Sequence, residues 1–156
     1  MKTELILVGK TNDKHFQAGI DDYCHRIGHY MPFSVTVIPE LKNTKSLSFQ
    51  QQKEREGEMI LAKLQSSDHV VLLDEHGKDF RSVEFARWIE QKNASVRRLV
   101  FVIGGPYGFS EAVYSRANEK ISLSKMTFSH QMVRLVFVEQ IYRACTIIKG
   151  EPYHHE

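Results

Sequence analysis

Residues 101–110, "FVIGGPYGFS", run three apolar side chains into Gly104-Gly105, then Pro106, Gly108 and Ser110. No phosphate-binding lysine or hydroxyl follows the glycine turn. It therefore suits a ligand held by backbone N–H and C=O groups, such as an adenine ring without phosphates. A purely structural turn, in which Gly104 and Gly108 supply positive φ, is the alternative. Several other chemistries fail on spacing. "VGKT" at 8–11 lacks a Walker A loop, because Glu4 stands where the first glycine belongs. "GGPYG" is not GxGxxG, follows the fourth strand-like run rather than the first, and has no suitably placed acidic partner for a dinucleotide. His25 and His29 lie one helical turn apart without a third ligand, and His154 and His155 are adjacent, so no metal site is expected. Nothing resembles GxSxG.

The elements that must position the glycine loop alternate along the chain. Strands are expected at 4–8, 34–38, 69–74, 98–103 and 121–124, from short β-branched or apolar runs closed by Gly, Pro or Asp. Helices are expected at about 12–29, with Phe16, Ile20, Tyr23 and Ile27 on one face, and at 48–64, opened by a Ser48–Gln51 capping box. Further helices are expected after Ser82, after Ser110, and from about His130 to Ile148. Residues 39–47 read as a loop. Such alternation implies an α/β fold, a mostly parallel sheet with helices on both faces, in one domain spanning 1–156. Ligands in these sheets sit beyond the carboxyl ends of the strands. Three loops leave such ends: "DEHGK" (74–78), "GGPYG" (104–108) and "SKMTF" (124–128).

The last helix has apolar residues around most of its wheel, from Met132 and Val133 through Leu135–Val138 to Ile147 and Ile148. Such a helix needs burial on most sides. One face can lie on the sheet, and a chain of this size has few elements left for the other, so a homodimer is expected; a central helix within one domain is the alternative. Composition sets wider bounds. Of 156 residues, 42% are hydrophobic and 26% charged, which excludes global disorder. A formal charge of +2 means that any nucleic-acid site is a local basic patch. Cys24 and Cys145 lack framework spacing, which suits a reducing compartment. No apolar run approaches a signal-peptide core or a membrane span, so a cytoplasmic protein with no membrane association is expected.

"VFVIGGPYGFS", "SLSKMTFSHQMVRLVFVEQIYRA" and "PYH", in this order, resemble the small SPOUT-class methyltransferases. Within them, the likeness is to the bacterial enzymes that methylate large-subunit ribosomal RNA, and it covers essentially the whole chain. The resemblance implies a C-terminal trefoil knot, S-adenosyl-L-methionine as cofactor and a homodimer. It also implies N3-methylation of pseudouridine 1915 in the 23S rRNA of the assembled ribosome. By the same resemblance, Leu73, Gly104, Gly105, Leu123, Ser124, Lys125, Met126, Thr127 and Phe128 correspond to the cofactor loops. The glycines would then admit the adenosine and the threaded chain close to the backbone.

His130, Arg134 and Arg143 match polar positions of the family's last helix, and Tyr153-His154 its tail. Catalytic roles are expected of His154, Arg143 and Tyr153. His154 is a candidate base for the N3 proton, Arg143 a phosphate contact or anion stabiliser, and Tyr153 a base-stacking group. Each has a plainer alternative: an exposed terminus, an i,i+4 ion pair with Glu139, or packing of the tail. Lys10, Lys14, Arg26, Lys125, Arg134 and Arg143 are expected to form a basic rim. Two rival functions are a SPOUT enzyme acting on tRNA and a non-enzymatic ribosome-binding module.

Overall fold

A computed structural model describes residues 1–156. Five strands form one sheet in the order β2-β1-β4-β3-β5, with every pair parallel. They are β1 (Lys2–Val8), β2 (Phe33–Ile38), β3 (His69–Asp79), β4 (Arg98–Ile103) and β5 (Glu119–Ser122). The helices are α1 (Lys14–Ile27), α2 (Phe49–Leu61), α3 (Ser82–Ser95), α4 (Glu111–Arg116) and α5 (Met132–Lys149). Alternation along the strands divides the interior into two cores. Leu5, Leu7, Val71, Leu99, Phe101 and Ile103 face α1, α3 and α5. Ile6, Val8, Val70, Leu72, Val100 and Val102 face α2 and α4. No helix is long and apolar enough to cross a membrane.

Several local expectations hold. Ser48 and Gln51 cap α2 reciprocally, and the Ser110 hydroxyl accepts from the Val113 N–H at the start of α4. Others need correction. The loop at 39–47 contains a short 3-10 turn, Thr44–Ser46. Ser82 does not cap α3. That role falls to Arg81, whose N–H donates to the Glu84 carboxylate, while the Ser82 hydroxyl reaches across to Gln140 on α5 at 2.9 Å. β5 begins two residues earlier than its apolar run.

The largest difference concerns β3, which continues five residues past Asp74. Its pairing with β5 breaks after Leu73↔Ile121 and resumes at Lys78↔Ile121, so residues 74–77 bulge out of the ladder. Gly77 makes this possible, because a Cβ there would meet the backbone of Ile121 at 2.6 Å. The need for a missing side chain is thus strongest at Gly77.

α5 also sits differently from expectation. It lies on the sheet between α1 and α3, so the chain's own elements bury Phe137, Val138, Ile141, Ala144 and Cys145. The premise that little remained to cover it is therefore incorrect. Its outward stripe, including Val136, Glu139, Arg143 and Ile147, stays only partly buried.

Candidate functional site

The loops after β3, β4 and β5 converge at the carboxyl edge of the sheet around a cavity of about 670 Å³. All nine residues assigned to the cofactor loops line it: Leu73, Gly104, Gly105 and the run Leu123–Phe128. The bulge of β3 contributes Asp74, Glu75 and His76, the lead into α5 adds His130, and the first turn of α5 adds Val133. The volume lies within the range of about 300–1,000 Å³ usual for small-molecule pockets.

The glycine loop is held by its own turn, by Phe109 and by α2. Gly108 adopts a φ of +82°, and its N–H closes a turn on the Gly105 carbonyl at 3.2 Å. A Cβ on Gly104 would meet the Phe109 ring at 2.8 Å, and one on Gly105 would meet the Glu56 carboxylate at 2.8 Å. The absent side chains thus leave room for Phe109 and for α2. Glu56, on α2, accepts a hydrogen bond from the Gly105 N–H at 3.1 Å. Burial pushes its carboxyl above the usual range, against the lowering effect of that hydrogen bond. Nothing in the sequence near Glu56 signals this role, because its partner is 49 residues away.

On the facing wall, Tyr114 donates to Asp74. Burial and the Asp74 carboxylate push its phenol up to about 12, so it stays a neutral donor. Ser124 Oγ accepts from the Met126 N–H at 2.9 Å and shapes the third loop. The Met126 side chain is 80% exposed at the mouth.

Arg134 departs from the expected basic rim. It is 1% exposed, and its guanidinium donates to the Val8 carbonyl at 2.6 Å and to Thr11 Oγ1 at 3.0 Å. Nε has no partner, and no carboxylate pairs with the side chain. Burial lowers its pKa, offset in part by Glu40. Arg134 fastens α5 to the end of β1, and Gln131 adds a hydrogen bond from the Asn12 N–H at 2.8 Å. Of the remaining rim residues, Lys10, Lys14 and Lys125 are exposed, whereas Arg26 is paired with Asp22 at 3.2 Å.

Arg143, Tyr153 and His154 gather into one cluster, away from the cavity of their own chain. The Arg143 guanidinium grips Glu139 through Nη2 at 2.6 Å and Nε at 3.1 Å, and places Nη1 3.1 Å from His154 Nδ1. The expected i,i+4 pair therefore coexists with the tail contact. The Tyr153 hydroxyl donates to Glu139 at 3.1 Å and lies 3.2 Å from Tyr23. Its ring sits under the Arg143 guanidinium at 4.8 Å and edge-on to Tyr142 at 4.7 Å. Burial, the Tyr23 hydrogen bond and the Glu139 carboxylate all raise the Tyr153 pKa, so the phenol remains protonated. None of the three residues lines the cavity. The ten-residue step from Val133 to Arg143 along α5 spans about 15 Å.

The sequence model described as "Predicted SPOUT methyltransferase" matches residues 1–154. Three curated relatives carry the name ribosomal RNA large subunit methyltransferase H. The chain is 66% identical to one from Bacteroides fragilis, 64% to one from Phocaeicola vulgatus and 56% to one from Flavobacterium johnsoniae. Each alignment covers 100% of both chains. Agreement at this level over full length, on a parallel α/β sheet with a glycine-walled cavity at its carboxyl edge, identifies the chain as a member of the SPOUT methyltransferase family, in the ribosomal RNA large subunit methyltransferase H group.

Proposed function

We propose that this chain methylates N3 of pseudouridine 1915 in 23S rRNA on the assembled ribosome, with S-adenosyl-L-methionine as methyl donor. It would work in the cytoplasm as one domain, residues 1–156. The observation that carries the reading is the convergence of the loops after β3, β4 and β5 on one cavity. The residues present fit the cofactor. The glycine loop brings backbone rather than side chains to the cavity wall, and Leu73, Leu123 and Phe128 offer apolar surface for an adenine ring. Asp74 and Glu75 supply negative charge for the amino and sulfonium groups. In this reading the segment after β5 is threaded into a trefoil knot, with Arg134 and Gln131 fastening the emerging helix to residues 8–12.

When bound, S-adenosylmethionine supplies an electrophilic sulfonium methyl, and the protein's share is alignment and charge stabilisation. The N3 of pseudouridine must give its proton to solvent water as the new N–C bond forms. The negative charge that develops spreads onto the neighbouring carbonyl oxygens, so a hydrogen-bond donor there lowers the barrier. Because Arg143 can only donate, His154 Nδ1 accepts, and the imidazole proton resides on Nε2. That nitrogen is buried with no hydrogen-bond partner; the nearest carboxylate, Glu156, is 3.9 Å away. In this reading the tail shifts as substrate enters, and His154 Nε2 then donates to a uracil carbonyl rather than serving as the base for the N3 proton, with Arg143 and Tyr153 beside it.

The separation of this cluster from the cavity supports a homodimer with a composite site. A two-fold contact through the outward stripe of α5 is isologous. Packed antiparallel, it sets the start of one helix beside the end of its partner, and so one subunit's tail beside the other's cavity. Calorimetric titration of S-adenosylmethionine tests the cofactor half of this reading. One site per chain, lost when Gly105→Val displaces Glu56 and the glycine loop, is the expected result; wild-type affinity in a folded Gly105→Val protein contradicts it.

A further inference from the structure

Phe49 and Tyr107 stack on one another with ring centroids 4.3 Å apart and planes 20° from parallel. Tyr107 belongs to the glycine loop and lines the cavity. Phe49 opens α2, inside the Ser48–Gln51 capping box that fixes the start of that helix. Stacking covers one face of each ring, yet Phe49 stays 62% exposed and Tyr107 45%. Two aromatic rings left this open beside a cavity contribute little to the core. The chain around Phe49 is also one-sided in charge. From Lys42 to Lys53 there are three lysines and no acidic residue. α2 lies on the face of the sheet opposite α5, so a dimer formed through α5 leaves the pair uncovered.

We propose that Phe49 and Tyr107 form a stacking platform for an unpaired nucleobase of the RNA substrate, next to the nucleotide that enters the cavity. Lys42, Lys45 and Lys53 would meet its backbone phosphates. The proposal rests on the reading of this chain as an rRNA methyltransferase. Unpaired bases in RNA loops are held by stacking on aromatic side chains, and a preset pair of rings offers a wide face at little entropic cost. Lysines spaced along this stretch suit a phosphate backbone, and the nearby carboxylates of Glu54 and Glu56 are engaged by Gln50 and the Gly105 N–H.

The test has two arms, both run on the intact enzyme with vacant, unmethylated ribosomes. In the first, Phe49→Ala raises the KM for ribosomes about tenfold, as expected for one lost base stack. Phe49→Trp restores it, and the calorimetric affinity for S-adenosylmethionine stays at the wild-type value in both. In the second, Phe49→p-azidophenylalanine crosslinks on irradiation to 23S rRNA. An unchanged KM in Phe49→Ala, or a crosslink confined to a ribosomal protein, overturns the platform while leaving the methyltransferase reading intact. If the wild-type enzyme transfers no methyl group to ribosomes, that reading fails and the platform falls with it.

Discussion

Arg143 and His154 are joined through Nη1 and Nδ1 at 3.1 Å, and this contact fixes which imidazole nitrogen carries the proton. His154→Gln, which can still donate a hydrogen bond, should therefore retain more methyl transfer than His154→Ala. The alanine variant should lose about 10²-fold or more in kcat, the scale of a lost oxyanion donor. Raising the pH should partly restore the alanine variant as the substrate imide ionises unaided. Equal loss in both variants, in single-turnover assays, would refute the donor role.

A composite site predicts complementation. Gly105→Val removes a cavity and His154→Ala removes a tail, and each homodimer should be inactive. Mixed dimers, co-expressed with two affinity tags and purified through both, should regain one working site, about half of the wild-type rate. Inactive mixed dimers that still bind one cofactor would mean that each chain uses its own tail.

Glu56 couples α2 to the glycine loop, and its raised carboxyl pKa sets the sign of a pH effect. A carboxyl whose folded pKa lies above its unfolded value binds more protons in the folded state, so its ionisation costs stability as pH rises through the folded pKa. Glu56→Gln removes that cost and can still accept from the Gly105 N–H, so it should be at least as stable as wild type at pH 7. It should also lose the fall in stability that Glu56 causes between the two pKa values. Glu56→Ala leaves the Gly105 N–H without its partner and should weaken S-adenosylmethionine binding by about tenfold, the scale of a lost hydrogen bond to a charged group. Paired denaturation and calorimetry across pH would reveal the opposite pattern if the contact is incidental.

Much of this arrangement was legible in the sequence because it is written in local signals. Apolar runs ending in glycine or proline marked the strands, and Ser48 and Ser110 announced two helix starts. The three loops that meet at the cavity were identifiable as those leaving strand ends. What escaped depends on distant partners. The excursion of β3 is imposed by pairing with β5, and nothing around Gly77 reveals that Ile121 will press on it. Arg134 reads as an exposed cation until the fold places it against Val8. The apolar wheel of α5 cannot tell flanking helices of its own chain from a second subunit, because both bury the same side chains.

That ambiguity separates two neighbouring substitutions on α5. Phe137 is fully buried against Phe85 and Phe101. Phe137→Ala should cost about 3–5 kcal/mol of stability, and Phe137→Glu should prevent folding. Val136, half-buried on the outward stripe, should tolerate Glu within the protomer but break the dimer. Sedimentation of Val136→Glu as a folded monomer is the expected result; an unaltered dimer would place the interface elsewhere.

The most direct test of the central claim is methyl transfer from labelled S-adenosylmethionine to unmethylated vacant ribosomes, free 23S rRNA and bulk tRNA in parallel. The label should enter only the 23S rRNA of assembled ribosomes, and digestion should locate it as N3-methylpseudouridine at position 1915. Label in tRNA, or none in ribosomes under conditions where the enzyme binds its cofactor, would contradict the account.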